Sequence, residues 1–212
     1  MLEGCVPWPA DVAARYRRQG WWEGITIPQL LERSAARHPG KIALVSGELR
    51  LSYADLVSGS RRLACGFLDA GIRARDRVVL QLPNGPEFVF AYFALTRIGA
   101  IPVMALRAHR HSEVRHFLKA SGATAYVIPD RIGSFDYREM AREVGPEAPD
   151  LRHVFVAGEP GPGQIDLRAM IAAPLSDAAV AAALAGHEPD PAEVTTMLLS
   201  GGTTSLLSLI HI

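Results

Sequence analysis

Val78-Val79-Leu80-Gln81-Leu82 runs into Pro83-Asn84-Gly85, Glu87 to Ile98 follows at helical spacing up to Gly99, and Ala100 to Leu106 is apolar again. A short apolar run closed by a turn reads as a buried strand, so the stretch reads strand, helix, strand. Outward from it, Ser112 caps a further helix through Ala120 that Gly122 ends, and Thr124 to Ile128 is the next strand. On the N-terminal side, Ser52-Tyr53-Ala54-Asp55 has the Ser-x-x-acid pattern of a capping box, although Asp reaches back less well than Glu. Behind it Leu56, Ser60, Leu63, Phe67 and Leu68 recur on one helical face, and Gly71 stands where a left-handed cap is wanted. Strands alternating with helices at this spacing predict an α/β fold with a largely parallel sheet flanked by helices. Right-handed crossovers then gather the loops after the strand C-termini on one edge, where ligands of open α/β sheets bind.

The flanks are less regular. Residues Trp8-Pro9 through Trp21-Trp22 form a short aromatic leader with Arg15, Arg17 and Arg18 on its surface. Trp21 and Trp22 are expected to pack the leader onto the body rather than to touch a partner. Thr26 caps a helix with Pro28 in its first turn, an apolar face of Leu30, Leu31 and Ala35, and an end at Pro39-Gly40. Ile42 to Ser46 and Leu49 to Ser52 flank Gly47-Glu48 as a hairpin. After Pro129 come an amphipathic helix, Tyr137 to Val144, a short strand, Val154 to Val156, and a Gly/Pro loop, 158–163. Asp166 to Ala173 and Asp177 to Ala185 look helical, and Pro189-Asp190-Pro191 links them to a last strand, Thr195 to Leu199.

The 212 residues carry 22 Lys+Arg against 22 Asp+Glu, a formal net charge of +0. No basic excess marks a nucleic-acid or membrane surface, so a small molecule is the expected ligand. Cys5 and Cys65 are too few for a disulfide framework or a zinc site. The longest greasy stretch, Phe88 to Leu106, is interrupted by Arg97, Gly99 and Pro102 and does not suit a membrane span. No secretory signal is visible, and a cytoplasmic protein is expected. His109, His111 and His116 read as a solvated face rather than as metal ligands. Asp55 is explained as a helix-start residue rather than as a general base.

Leu198-Leu199-Ser200-Gly201-Gly202-Thr203-Thr204 carries the chemistry. Adjacent glycines let backbone N–H groups approach phosphate oxygens, and Ser200, Thr203 and Thr204 add rotatable hydroxyl donors. It is not a Walker A loop, which requires G-x-x-x-x-G-K-[ST]. Most such strings are ordinary turns, and these residues acquire meaning from the sheet that precedes them.

Together the motifs resemble the N-terminal part of the adenylate-forming ligases, the superfamily of acyl-CoA synthetases, peptide-synthetase adenylation domains and luciferases. Leu51-Ser52-Tyr53-Ala54-Asp55-Leu56 resembles that family's strand-to-helix entry. Gly71-Ile72 through Asp76-Arg77-Val78 to Leu82-Pro83-Asn84 resembles its next crossover, and Gly99-Ala100-Ile101-Pro102-Val103 the one after. Ser200, Gly201, Gly202, Thr203 and Thr204 fall where the family carries its ATP-phosphate loop. More narrowly, Trp8-Pro9, Tyr16-Arg17, Gly20-Trp21-Trp22 and Gly24, with Pro102-Val103-Met104-Ala105-Leu106 and His109-Arg110, are similar to the aryl-acid ligases of siderophore biosynthesis. Phe135-Asp136-Tyr137-Arg138 with Met140-Ala141-Arg142-Glu143 looks most like the salicylate-activating members in mycobacteria and their relatives. The resemblance implies ATP and Mg²⁺ as cofactors and salicylate or 2,3-dihydroxybenzoate as substrate. It also implies a carrier protein whose phosphopantetheine thiol takes the acyl group.

The family continues its loop as Gly-x-Pro-Lys, where this chain has Ser205, Leu206, Leu207 and Ser208. The expected organisation is therefore a leader over 1–25, an incomplete ligase domain over 26–204 ending in the phosphate loop, and an aberrant tail over 205–212. The C-terminal domain is expected to be absent, with no catalytic or metal-binding residue within the chain. Alone the polypeptide is expected to be inactive and marginally stable, with unpartnered strand edges. A generic acyl-CoA ligase and a non-catalytic nucleotide-binding or interaction module stand as alternatives.

Overall fold

The computed structural model describes residues 5–200 and 208–211. Its first helix, α1 (Ala10–Arg18), lies in the leader, where no regular element was expected. Trp8, Tyr16, Trp21 and Trp22 meet in tilted and edge-to-face contacts, with Tyr16 centred 5.2 Å from Trp21 and 5.3 Å from Trp22. Trp8 and Trp21 stay 63% and 66% exposed. The ring contacts of these residues thus lie within the leader, while Trp22 is half-buried.

Helix α2 (Ile27–Arg37) starts in a reciprocal cap, the Thr26 hydroxyl accepting from the Gln29 N–H and the Gln29 amide oxygen accepting from the Thr26 N–H at 2.8 Å. Leu31 is buried but Leu30 is 47% exposed, so the apolar face is narrower than the sequence implied. Strands β1 (Ile42–Ser46) and β2 (Leu49–Ser52) form the expected hairpin, as a two-stranded sheet of their own. Ser52 then caps α3 (Tyr53–Asp69), with the Asp55 carboxylate accepting from the Ser52 N–H at 2.8 Å. All five residues of the proposed stripe are buried, and Gly71 has φ +89°.

The main sheet begins with β3 (Arg77–Leu80), α4 (Pro86–Arg97) and β4 (Ile101–Met104). It continues through α5 (His111–Ser121), β5 (Ala125–Pro129), a small hairpin β6 (Arg131–Ile132) and β7 (Phe135–Asp136), and α6 (Tyr137–Val144). Then follow β8 (His153–Ala157), β9 (Ile165–Asp166), α7 (Leu167–Ile171), α8 (Asp177–Leu184), β10 (Met197–Ser200) and β11 (Ser208–His211). Seven strands pair in the order β11-β10-β4-β3-β5-β8-β9. All are parallel except β11, which runs antiparallel to β10. The outer edge of β10 is therefore covered by the chain itself, and β11 becomes the outermost strand on that side.

Both faces of the sheet are buried at β3, β4, β5 and β8. Val78, Leu80, Val127 and Phe155 point into a core closed by α2, α3, α4, α7 and α8. Val79, Val103, Tyr126, Ile128 and Val156 point into a second core under α5 and α6. This alternation explains why the strands read as continuous apolar runs. One helix start differs from expectation: α5 is capped at Arg110, whose N–H donates to Glu113, rather than at Ser112. The strands β6, β7 and β9 are two residues each and carry no periodic signal.

Candidate functional site

The chain leaves β3 towards α4 on one face of the sheet and leaves β4 towards α5 on the other. Adjacent parallel strands whose exits diverge leave a crevice between their C-terminal ends. A cavity of about 840 Å³ lies there, lined by the loop after β3, the loop after β4 and Leu198 of β10.

The β4–α5 loop forms one wall, and it is fastened from beneath. Gln81, directly beyond β3, is fully buried, and its amide nitrogen donates to the carbonyls of Leu106 at 2.8 Å and His109 at 3.0 Å. Its amide oxygen accepts a short hydrogen bond from the buried Tyr126 hydroxyl. The Tyr137 hydroxyl and the Arg110 guanidinium both donate to the Arg107 carbonyl, each at 2.7 Å. Arg110 in turn lies over the Phe135 ring, 4.1 Å from its centre. The Leu106 N–H donates to His109 Nδ1 at 3.0 Å, and His109 packs against Phe117. Burial pushes the His109 imidazole below its ordinary pKa, which keeps Nδ1 available as an acceptor. His109 is thus a clasp of the loop, not part of the solvated face expected of it.

Next to this cavity, the ends of β5 and β8 are tied by Asp130, whose carboxylate accepts from the N–H of Arg131 at 2.6 Å and of Glu159 at 3.1 Å. A Cβ on Gly158 would stand 2.3 Å from the Asp130 carboxyl carbon, so that crossing requires glycine. Arg168 and Glu87 pair at 2.8 Å across the same corner.

Of the residues singled out for phosphate contact, Ser200 is the C-terminal residue of β10, on the sheet edge where the cavity opens. Gly201, Gly202, Thr203 and Thr204 lie outside the described residues. Asp55 serves as the cap of α3. His111 pairs with Glu143 at 2.8 Å, and no group of three or more His, Cys, Asp or Glu among the described residues could hold a metal ion. Sequence reasoning passed over Gln81 and Arg107. One signal existed for Gln81: a lone amide inside an apolar strand run must find partners when buried.

The family model for AMP-binding enzymes matches residues 31–207. The chain belongs to the AMP-binding enzyme family. Triostin synthetase I of Streptomyces triostinicus is 45% identical over 210 residues, which are 99% of this chain and 37% of that protein. The salicyl-AMP ligase/salicyl-S-ArCP synthetase of Mycobacterium tuberculosis is 43% identical over 218 residues, again 99% of this chain and 37% of the relative. The apo structure of Mycobacterium smegmatis MbtA superposes with a TM-score of 0.87 at 37% identity, covering 98% of this chain and 37% of that one. This AMP-binding chain therefore spans little more than a third of the length of those relatives. Its leader lies outside the family model but inside both sequence alignments, which leave almost none of the chain uncovered.

Proposed function

We propose that this chain is the N-terminal part of a ligase that activates an aryl carboxylic acid, salicylate or 2,3-dihydroxybenzoate, as its acyl-adenylate. In the reaction a carboxylate oxygen bonds to the α-phosphorus of ATP as the bond to the β-phosphate oxygen breaks and pyrophosphate leaves. The acyl group then passes to a phosphopantetheine thiol on a carrier protein in siderophore biosynthesis. The observation that carries this reading is the place of β10, which brings Ser200 to the strand-end edge where an 840 Å³ cavity opens at the divergence of β3 and β4. Anions gather at such edges because backbone N–H groups and loop donors converge there.

Ser200, Gly201, Gly202, Thr203 and Thr204 are the residues we assign to the ATP phosphates. Mg²⁺, arriving with the nucleotide, supplies the charge neutralisation that lets one anion attack another. Leu82, Phe88 and Met104 give the cavity at the strand ends apolar walls. The reaction belongs in the cytoplasm, where ATP is available. Because the chain spans 37% of its relatives, the 212-residue polypeptide alone is expected to bind nucleotide without turnover.

Two measurements test this. Calorimetric titration of the chain with MgATP should give saturable binding. ATP–pyrophosphate exchange should be absent on the chain alone and appear, with salicylate or 2,3-dihydroxybenzoate, once it is continued to the length of its relatives. Exchange driven instead by a fatty acid would move the protein to the acyl-CoA ligases, and robust turnover by the chain alone would refute its inactivity.

A further inference from the structure

We propose that Arg107 is the oxyanion contact of the cavity at the β3/β4 divergence. The inference deepens the adenylation reading and rests on it for the identity of the ligand. Shared chemistry defines the ligand group, since a nucleotide phosphate and an aryl carboxylate both present oxyanions to a guanidinium.

Charge singles out this side chain. The cavity lining is apolar apart from Asn84, Arg107 and His109. His109 is held neutral by burial and spends Nδ1 on the Leu106 N–H. A guanidinium is a planar cation suited to bidentate contact with an oxyanion. Among the described residues its guanidinium has no ion pair and no hydrogen bond, and its side chain is exposed. The neighbouring arginines are committed: Arg131 and Arg138 to Asp136, Arg168 to Glu87, and Arg110 to the loop carbonyls and the Phe135 ring.

Position is as telling as charge. The Arg107 carbonyl takes two donors, from Tyr137 and Arg110, and the carbonyls of Leu106, directly before it, and His109, two residues on, are held by Gln81. An exposed loop rarely has its backbone secured at three successive points by buried side chains. That anchoring fixes where the Arg107 side chain starts, so less ordering is needed when an anion arrives. The same strand-end edge carries Ser200.

The test uses the chain as it stands. Sodium pyrophosphate, sodium salicylate and MgATP are titrated separately into wild type, Arg107→Gln, Arg107→Lys and, as a control for general charge, Arg15→Gln in the leader. Arg107→Gln should weaken binding about tenfold or more, the loss expected for a hydrogen bond to a charged group, while Arg107→Lys retains most of it and Arg15→Gln changes nothing. Loss confined to pyrophosphate and MgATP assigns the contact to phosphate, and loss confined to salicylate assigns it to the carboxylate. Equal affinities of wild type and Arg107→Gln for every probe overturn the proposal while leaving the adenylation reading intact. So does an equal loss in Arg15→Gln. Arg107-dependent binding of pyrophosphate without any binding of MgATP sustains the contact and sinks the adenylation reading. If wild type binds no probe, both fall.

Discussion

Gln81 holds two layers of the molecule together through one carboxamide: the Tyr126 hydroxyl on the inside, and the Leu106 and His109 carbonyls under the cavity wall. Gln81→Leu strands the tyrosine hydroxyl and two carbonyls, and leaving a buried polar group unpaired costs about 1–3 kcal/mol. Replacing both partners with apolar groups is far less harmful, so Gln81→Met with Tyr126→Phe should recover much of the urea-unfolding midpoint lost in Gln81→Leu. Amide exchange at Leu106–Arg110 should remain fast in that double variant. Slow exchange there would show that the loop does not depend on Gln81. Two titrations act on the same region. His109 is held below its ordinary pKa by burial, so its contribution is complete above about pH 6.5 and is lost as pH falls towards the folded value. Asp136 is held far below the carboxylate range, first by hydrogen bonds from Arg138, and its contribution is complete above about pH 3.9 and lost below. Acid should therefore loosen the β4–α5 loop before it unfolds the domain. His109→Asn keeps an acceptor that does not titrate and should abolish the first step in exchange protection. An unchanged profile in that variant would assign the step elsewhere.

Helix α3 meets its neighbours through glycines, and the two contacts differ in kind. A Cβ on Gly59 would lie 2.4 Å from the Phe90 ring of α4, whereas one on Gly66 would lie 2.6 Å from the Met170 methyl of α7. A ring between two helices has nowhere to go, while a thioether can swing aside. Gly59→Ala should lose about 1–3 kcal/mol to overpacking, and Gly66→Ala should be near neutral because alanine gains about 1 kcal/mol in helix propensity. Thermal melts of the two variants check the order, and equal losses would contradict it. Legibility also varied by element. The centre of the sheet and its helices were readable because period and punctuation agreed: Gly71, Gly99 and Gly122 all take positive φ at helix ends. The leader helix was hidden by aromatic residues whose rings pack edge-on or tilted against one another. The α5 start misled because Ser112 offers a cap chemically, yet Glu113 already satisfies the Arg110 N–H. Two-residue strands such as β9 exist only because a neighbour, β8, is there to pair with. At the site, the Ser-Gly-Gly-Thr-Thr string was legible by resemblance, and of it only Ser200 falls within the described residues. The Gln81 clamp was not legible, because its two carbonyl partners stand 25 and 28 residues away and only the parallel crossover brings them near.

At the scale of the whole molecule, one sheet separates two cores and its edges decide whether the chain stays alone in solution. The edge beyond β8 is β9, two residues long and immediately followed by α7, which leaves little backbone for another chain to pair with. The opposite edge depends on Ser208–His211, whose four antiparallel pairs with β10 run from Met197↔His211 to Ser200↔Ser208. Without them β10 would present a bare row of N–H and C=O groups beside the cavity. Deleting residues 205–212 should therefore produce concentration-dependent association, visible by sedimentation or light scattering at micromolar protein. The melt should also broaden, because β10 would lose four of the pairs that bind it to the sheet and keep only its contact with β4. A deleted chain that stays monomeric and melts as sharply as the intact one would show that β11 protects nothing. Strand β4 and the cavity wall would then have to hold β10, and with it Ser200, in place unaided.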